Sequence, residues 1–420
     1  MKNKLSLFAL IISLLLLLTY RFIYFESNPK NGYNATSWDA FGYYMYLPST
    51  LIYQDVKELK WISKNDSIYN LTGGHLYQAL KLEDGNYTNK YFCGVSIMEI
   101  PYFYVGHLLA KITNSPQDGF SWPYQYSILF GAIFWVFLGL IFLRKILLHF
   151  FSDETTALTI FGLVFCSNLI QYVSIDGAMS HAFIFPLYAF IIWSTIKWHE
   201  NFQLKYAILI GFVCGLATIS RPTELIMIFI PILWNTHTKE ERKAKWTAVF
   251  NHKLQLFASI LAGIIAISPQ LIYWKYTTGH FVFDVGSKWY FFNPWFRVLF
   301  GPEKGWFLYT PIAILMVLGL FFMKGKNFKR SILTFCILNI WIIIAWSDWK
   351  YGASYSARAF VQSYPVFAIP LALAIENLKM KKLKIYLILC LVILFGLNIY
   401  QINIYNKGVL EDFSPILKLF

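Results

Sequence analysis

The chain has 420 residues, 57% of them hydrophobic, 20% aromatic and only 14% charged, a composition that excludes an ordinary soluble domain and matches repeated bilayer crossings. Its formal charge of +14 does not point to nucleic acid, because Lys and Arg gather in short stretches between apolar runs, where they report orientation. Of five cysteines, Cys166, Cys214, Cys336 and Cys390 fall inside apolar runs and Cys93 has no obvious partner, so neither a disulfide framework nor a zinc spacing can be read.

In chain order, residues 5–25 predict a retained first transmembrane helix that starts in the cytoplasm. Lys2 and Lys4 precede it, and no small-residue cleavage site comes before Arg21 and Glu26. Residues 26–123 form the first extracytoplasmic loop. It opens Asn34-Ala-Thr-Ser-Trp-Asp39-Ala-Phe-Gly-Tyr43-Tyr44-Met-Tyr46-Leu-Pro48, a carboxylate at the membrane surface followed at once by aromatic residues. Phe41, Tyr44 and Met45 fall near one face and Pro48 interrupts it, which predicts two short juxtamembrane helices lying on the lipid. Asn-x-Ser/Thr tripeptides at Asn34, Asn65, Asn70 and Asn86 matter only in a eukaryotic secretory pathway. Residues 91–112 are apolar but contain Glu99, Pro101 and His107. A crossing there would reverse every later loop, so the segment is expected to be interfacial or re-entrant.

Further spans are expected near 124–147, 155–174, 181–198, 206–220, 223–235, 254–273, 308–323, 331–346, 361–378 and 385–402. That makes about eleven in all at one per ~20 apolar residues, with an extracytoplasmic tail at 403–420. Basic residues fall on alternate connections: Arg144 and Lys145; Lys197 and Lys205; Lys239 to Lys253; Lys324 to Arg330; Lys379 to Lys384. All share the side of Lys2 and Lys4, so the chain reads as one all-α integral membrane domain, 1–420, its bundle over 124–402. Outer excursions lie at about 274–307 and 347–360. No internal repeat is evident, and no soluble domain is large enough for a Rossmann-type nucleotide site.

Asp39 is the strongest candidate for proton abstraction; the structural alternative is that Ser37 or Asp39 only caps a helix. Asp176, in Ser174-Ile-Asp176-Gly177, lies where two spans meet on the same face, although Asp-Gly is also a turn signal. His181 can contact a phosphate or the acceptor, or serve as a core histidine. Arg221 and Glu224 in Ser220-Arg221-Pro222-Thr223-Glu224 are spaced to pair on one helical turn. A carboxylate facing lipid costs ~2.5–3.5 kcal/mol, so Glu224 should face a polar cavity or a partner. Lys90, Lys304, Lys350 and Arg358 add positive charge that can surround a lipid phosphate, and Tyr43, Tyr44 and Tyr355 are candidate substrate-binding side chains. There is no Asp-x-Asp pair and no Gly-x-x-x-x-Gly-Lys loop, so the activated substrate is expected to be carried by lipid.

The order and common sidedness of Trp38-Asp39-Ala-Phe-Gly-Tyr-Tyr, Lys90-Tyr91-Phe-Cys-Gly94 leading to Pro101 and His107, Arg221-Pro222, Leu299-Phe-Gly-Pro-Glu-Lys304-Gly-Trp-Phe-Leu-Tyr-Thr-Pro311 and Trp349-Lys-Tyr-Gly352-Ala-Ser-Tyr-Ser-Ala-Arg358 resemble the GT-C class of integral membrane glycosyltransferases. The resemblance is in particular to bacterial relatives of protein O-mannosyltransferases and to the lipid A aminoarabinose transferase. That resemblance implies Asp39 as catalytic base, Asp176 as an assisting acid and a polyprenyl-phosphate sugar as donor. The acceptor is a lipid, a glycan or a protein; no cofactor is demanded, and a divalent metal is left open. It places the protein in a bacterial cytoplasmic membrane with the N-terminus inside and the active site outside. The chain ends soon after its last span, without the C-terminal soluble domain of some relatives, which leaves acceptor recognition to the outer loops. Two other classes fit the same pattern: a flippase or transporter of a lipid-linked glycan, and a non-catalytic scaffold for envelope-glycan assembly. The topology is testable by cysteine labelling in intact cells, where an impermeant reagent should reach an engineered site at 60 and not one at 240.

Overall fold

The structure, a computed structural model, describes residues 3–27, 35–380 and 383–408. Lys2, Asn34, Lys381, Lys382 and most of the 403–420 tail lie outside the described residues. The first helix, α1 (Lys4–Ser27), is followed by two short helices, α2 (Asp39–Tyr44) and α3 (Tyr46–Leu51). A helix α4 (Ile62–Tyr69), a hairpin β1 (Ala79–Lys81) and β2 (Tyr87–Asn89), and the 19-residue α5 (Gly94–Ile112) complete the loop. The expected pair of juxtamembrane helices is there, divided at Met45 rather than Pro48. Their aromatic face does not lie on lipid: Phe41, Tyr44 and Met45 are buried against the protein. Phe41 packs on Trp61 and Phe120, and Tyr44 packs on Phe103 and Phe120.

The bundle proper runs through α6 (Trp122–Phe150), α7 (Asp153–Phe165), α8 (Ser180–Asn201) and α9 (Leu204–Thr218). After a 3₁₀ turn (Pro222–Ile228) come α10 (Phe229–Leu233), α11 (Lys239–Asn251) and α12 (Lys253–Thr278). Two one-turn helices, α13 (Arg297–Phe300) and α14 (Trp306–Tyr309), lead into α15 (Ile312–Leu318), α16 (Lys329–Ala345), α17 (Tyr364–Met380) and α18 (Lys384–Asn406). Among the described residues, α1, α6, α12, α18 and the continuous stretch Arg358–Met380 are long and apolar enough to cross a membrane. The segments Leu204–Thr218, Pro222–Leu233 and Ile312–Phe322 are shorter apolar helices. The protein is therefore a multi-pass helical membrane protein.

Polar contacts show which helix ends lie together. The free N–H groups of Leu5 and Ser6 at the start of α1 donate to the Asp153 carboxylate (2.9 and 3.1 Å) at the start of α7, the usual remedy for orphan donors at a helix start. Arg144, near the end of α6, reaches Ser6 and the Asn3 carbonyl. At the opposite end Arg21 donates to the Ser174 and Ile175 carbonyls. Thus α1 and α7 run parallel and α6 runs against them.

Helices α9 and α12 meet along small residues. A Cβ at Gly211 would strike the backbone of Ser259, and one at Gly215 the backbone of Gly263. Close backbone approach through small side chains is how helices associate where lipid removes the hydrophobic drive between them. Gly211→Val should therefore destabilise the protein by about 1–3 kcal/mol, measured as a lower melting temperature in detergent. Gly396→Val, at a position with open space around it, should leave the melting temperature unchanged.

Candidate active site

Asp39 begins α2 but does not cap it. The preceding Trp38 takes a left-handed backbone (φ 58°) without a side-chain cap bond, a conformation a non-glycine residue adopts only when its surroundings impose it. Those surroundings are visible: the Trp38 N–H donates to the Leu71 carbonyl (2.8 Å), its carbonyl accepts from Gln78 Nε2 (3.0 Å), and its indole packs on Gly73. Ser37 Oγ is buried without a partner among the described residues. The capping alternative is thus not the arrangement found, and the Asp39 side chain is turned into a cavity.

Two tyrosines meet that carboxylate. In the hairpin Ala79 faces Asn89, and the Lys90 N–H continues the ladder to the Gln78 carbonyl (2.9 Å). One step further the same register sets Tyr77 opposite Tyr91, and both hydroxyls donate to Asp39 Oδ1, at 3.0 and 2.6 Å. Gly42 makes this contact feasible, since a Cβ there would collide with the Tyr91 ring. From the other side Arg358 donates from Nη2 to Asp39 Oδ2 at 2.5 Å. Burial opposes ionisation of Asp39, yet the Arg358 guanidinium and the two hydroxyls outweigh it and hold the carboxyl below its ordinary range.

The cavity is about 660 Å³. Asp39, Tyr43, Lys90, His181, Arg221, Glu224 and Arg358 of the expected set line it. Arg221 precedes Pro222 and is extended (φ −152°, ψ 122°), as pre-proline residues prefer. Among the described residues neither its guanidinium nor the Lys90 ammonium has a hydrogen-bond or ion-pair partner. The two cations share one frame: the Gly94 N–H donates to the Ile219 carbonyl (2.7 Å), and the bare Gly94 Cα lies against Ser220. Part of the wall comes from Phe283, Asp284, Val285, Ser287 and Trp289, in a segment tied to the end of α16 by bonds from the Tyr290 N–H to the Ala345 carbonyl (2.6 Å) and from the Ser347 N–H to the Lys288 carbonyl (3.0 Å).

Several expectations are corrected. Glu224 does not pair with Arg221; it accepts from Tyr188, from Gln362 Nε2 (3.1 Å) and from Thr223 (3.3 Å), because the 3₁₀ turn directs the two side chains apart. Asp176 is not on the cavity wall: it ends the π-turn Gln171–Ile175 and accepts from Gln171 Nε2 (2.9 Å). Lys304 is also off the wall, its ammonium donating to the Lys350 (3.0 Å) and Gly352 carbonyls, and burial, with Arg358 adding to it, brings it down to about 8. The Tyr44 hydroxyl goes to the Gly119 carbonyl (2.5 Å), and that of Tyr355 lies among the Tyr309 carbonyl, Asn398 and Gln401; both rings belong to the core. Tyr77, Tyr188, Asn339 and Gln362 were missed. For Tyr77 the available signal was Asp84-Gly85, a hairpin turn pair. Among the described residues no group of three or more His, Cys, Asp or Glu side chains is placed to hold a metal ion.

A cavity lined by the carboxylates Asp39, Glu224, Asp284 and Asp348 and the cations Lys90, Arg221 and Arg358, at one end of a helical membrane bundle, sits in a fold shared with solved oligosaccharyltransferases. The oligosaccharyltransferase of Archaeoglobus fulgidus without ligand superposes with a TM-score of 0.54 at 12% identity, over 97% of this chain and 56% of that one. The oligosaccharyltransferase AglB of the same organism, in complex with an inhibitory peptide and a dolichol-phosphate, superposes at 0.51 and 11% identity, again over 97% and 56%. This chain therefore spans little more than half the length of those proteins, and at such identity the likeness is one of fold. No family model and no curated protein matches the sequence.

The ion pair makes a direct prediction. Asp39→Asn and Arg358→Met should each lower stability, and the double variant should lose less than their sum, with a coupling of about 1–3 kcal/mol from melting curves. The folded carboxyl is depressed, so its stabilisation is complete above the ordinary Asp range near ~4 and is lost as acid protonates Asp39 at its lowered value. Wild type, but not Asp39→Asn, should show that acid-side loss.

Proposed function

We propose that the protein is an inverting glycosyltransferase that moves one sugar from a polyprenyl-phosphate donor to an acceptor hydroxyl at the extracytoplasmic face of a bacterial cytoplasmic membrane, with about eleven spans and the N-terminus inside. The observation that carries this reading is the convergence of Asp39 with Arg358, Arg221 and Lys90 on one cavity. The dolichol-phosphate and peptide in the AglB complex support a lipid-borne donor and make a protein acceptor one of the classes to test, beside lipid and glycan.

In this reaction the acceptor oxygen attacks the anomeric carbon, the bond from that carbon to the phosphate oxygen breaks, and its electron pair leaves with the lipid phosphate. Asp39 takes the acceptor proton. As found, the carboxylate is a weak base, because three donors stabilise its charge. An arriving phosphate changes that balance: it competes for Arg358, and the Asp39 oxygen that Arg358 releases becomes the site of proton abstraction. Arg221 and Lys90, both without partners among the described residues, stabilise the charge that grows on the leaving phosphate. Each step is supplied by the chain's own residues.

Asp39→Asn should reduce transfer by ~10²–10⁴-fold in a protein that inserts normally, assayed with a synthetic polyprenyl-phosphate sugar. Arg221→Ala should raise the donor requirement with little change in acceptor dependence, and Arg221→Lys should restore part of the loss, since Lys lacks the two-pronged phosphate geometry of Arg. Near-normal transfer by Asp39→Asn would reduce the carboxylate to a structural anchor for Arg358.

A further inference from the structure

The cavity floor differs chemically from its cationic wall. His181, Glu224, Asn339 and Gln362 are each at most 3% exposed, yet all line the cavity. Glu224 has no cationic partner among the described residues. Its carboxylate is fixed by the hydroxyls of Tyr188 and Thr223 and by Gln362 Nε2. That last bond orients the Gln362 amide, so Gln362 Oε1 must face His181 Nδ1, 2.7 Å away. An amide oxygen only accepts, and therefore Nδ1 carries the proton and His181 Nε2 is left as a lone-pair acceptor. Among the described residues Nε2 has no partner. Asn339 Oδ1 accepts from the Ser363 hydroxyl (3.1 Å), and among the described residues its Nδ2 has no partner, so it stands as a donor. The floor thus offers a carboxylate, an imidazole lone pair and one amide N–H.

That set rejects the other parts of a lipid-phosphate donor. Phosphate oxygens only accept, and would face a carboxylate and a lone pair; a polyprenyl chain would leave every one of these groups unsatisfied, at a cost for each. Hydroxyl groups both donate and accept, so adjacent hydroxyls on a pyranose ring can satisfy all three. We propose that His181, Glu224, Gln362 and Asn339 form the subsite that reads the hydroxyls of the transferred sugar, an assignment that rests on the glycosyltransferase reading above. Arg221 stands at the border, just before the 3₁₀ turn that carries Glu224, where sugar gives way to phosphate. Gln362 acts as a positioning residue, fixing the tautomer of His181 from the side of Glu224.

The test compares binding of bare polyprenyl phosphate with that of polyprenyl-phosphate glucose, mannose and galactose to the full chain in detergent. Wild type should bind at least one sugar-bearing lipid ~10-fold or more tightly than the bare one, the worth of about 1.4 kcal/mol of added hydrogen bonding. Glu224→Gln should bring that ratio close to one while leaving bare-lipid affinity within about twofold, because a neutral amide accepts fewer bonds than a carboxylate. Arg221→Ala should weaken all the lipids by a common factor. His181→Leu gives the same readout at a second position should Glu224→Gln fail to accumulate. Loss of both kinds of lipid in equal measure in Glu224→Gln and His181→Leu overturns the subsite, as does a wild type that binds bare lipid as tightly as every sugar-bearing one. A wild type that binds none of the lipids overturns the glycosyltransferase reading as well.

Discussion

The contact between Asp39 and Arg358 joins positions 319 residues apart, one on the short helix α2 and the other where a loop turns back into the bundle. Neither charge could be left there alone. The guanidinium is about 10% exposed and the carboxylate 26%, and an unpaired charge so far from water costs more than most single interactions return. The pair therefore dictates how the first loop seats on the helices. Around it the hairpin, the α2–α3 break and a second 3₁₀ turn, Arg358–Ser363, take the positions that let two tyrosines and one arginine reach the same carboxylate.

Membrane helices gain little by hiding apolar surface from one another, since lipid is as apolar as they are. Fit and polar satisfaction decide the assembly instead. The seam of Gly211, Gly215 and Gly263 supplies fit. Polar satisfaction is local: Lys245 covers the carbonyls of Pro231, Ile232 and Trp234, which no longer find partners at the end of α10, and Glu154 gathers Lys379 and Lys384. Such clasps sit at the end of the bundle away from the cavity, so the cavity end is free to carry charges that have no internal partner.

Much of this was legible in the chain because the relevant signals are one-dimensional. Every apolar stretch expected to span contains helix, although several are short or broken by 3₁₀ turns. Asp39, Lys90, Arg221 and Arg358 were recognisable as ionisable groups in aromatic or apolar company on one face. What was not legible depends on pairing across the chain. A hydroxyl such as that of Tyr77 has no sequence mark that separates a carboxylate partner from water, and the register that brings Tyr77 to Tyr91 exists only once the hairpin closes. Tyr44 and Tyr355 read as site residues because aromatic rings near a membrane edge suit lipid, core and ligand equally; burial against Phe103 and Phe120, or beside Asn398 and Gln401, is a matter of tertiary packing. Asp176 was placed on the correct side of the bundle, but a π-turn rotates it off the cavity, and no spacing rule marks such a turn in advance.

The clasp between Gly94 and Ile219 has a mechanical meaning. It fixes Lys90 and Arg221 relative to each other, while Arg358 comes from a third segment, the one that leads into α17. An anionic group among them would meet donors set in advance: the Gly94–Ile219 bond places Lys90 and Arg221, and the Asp39 contact places Arg358.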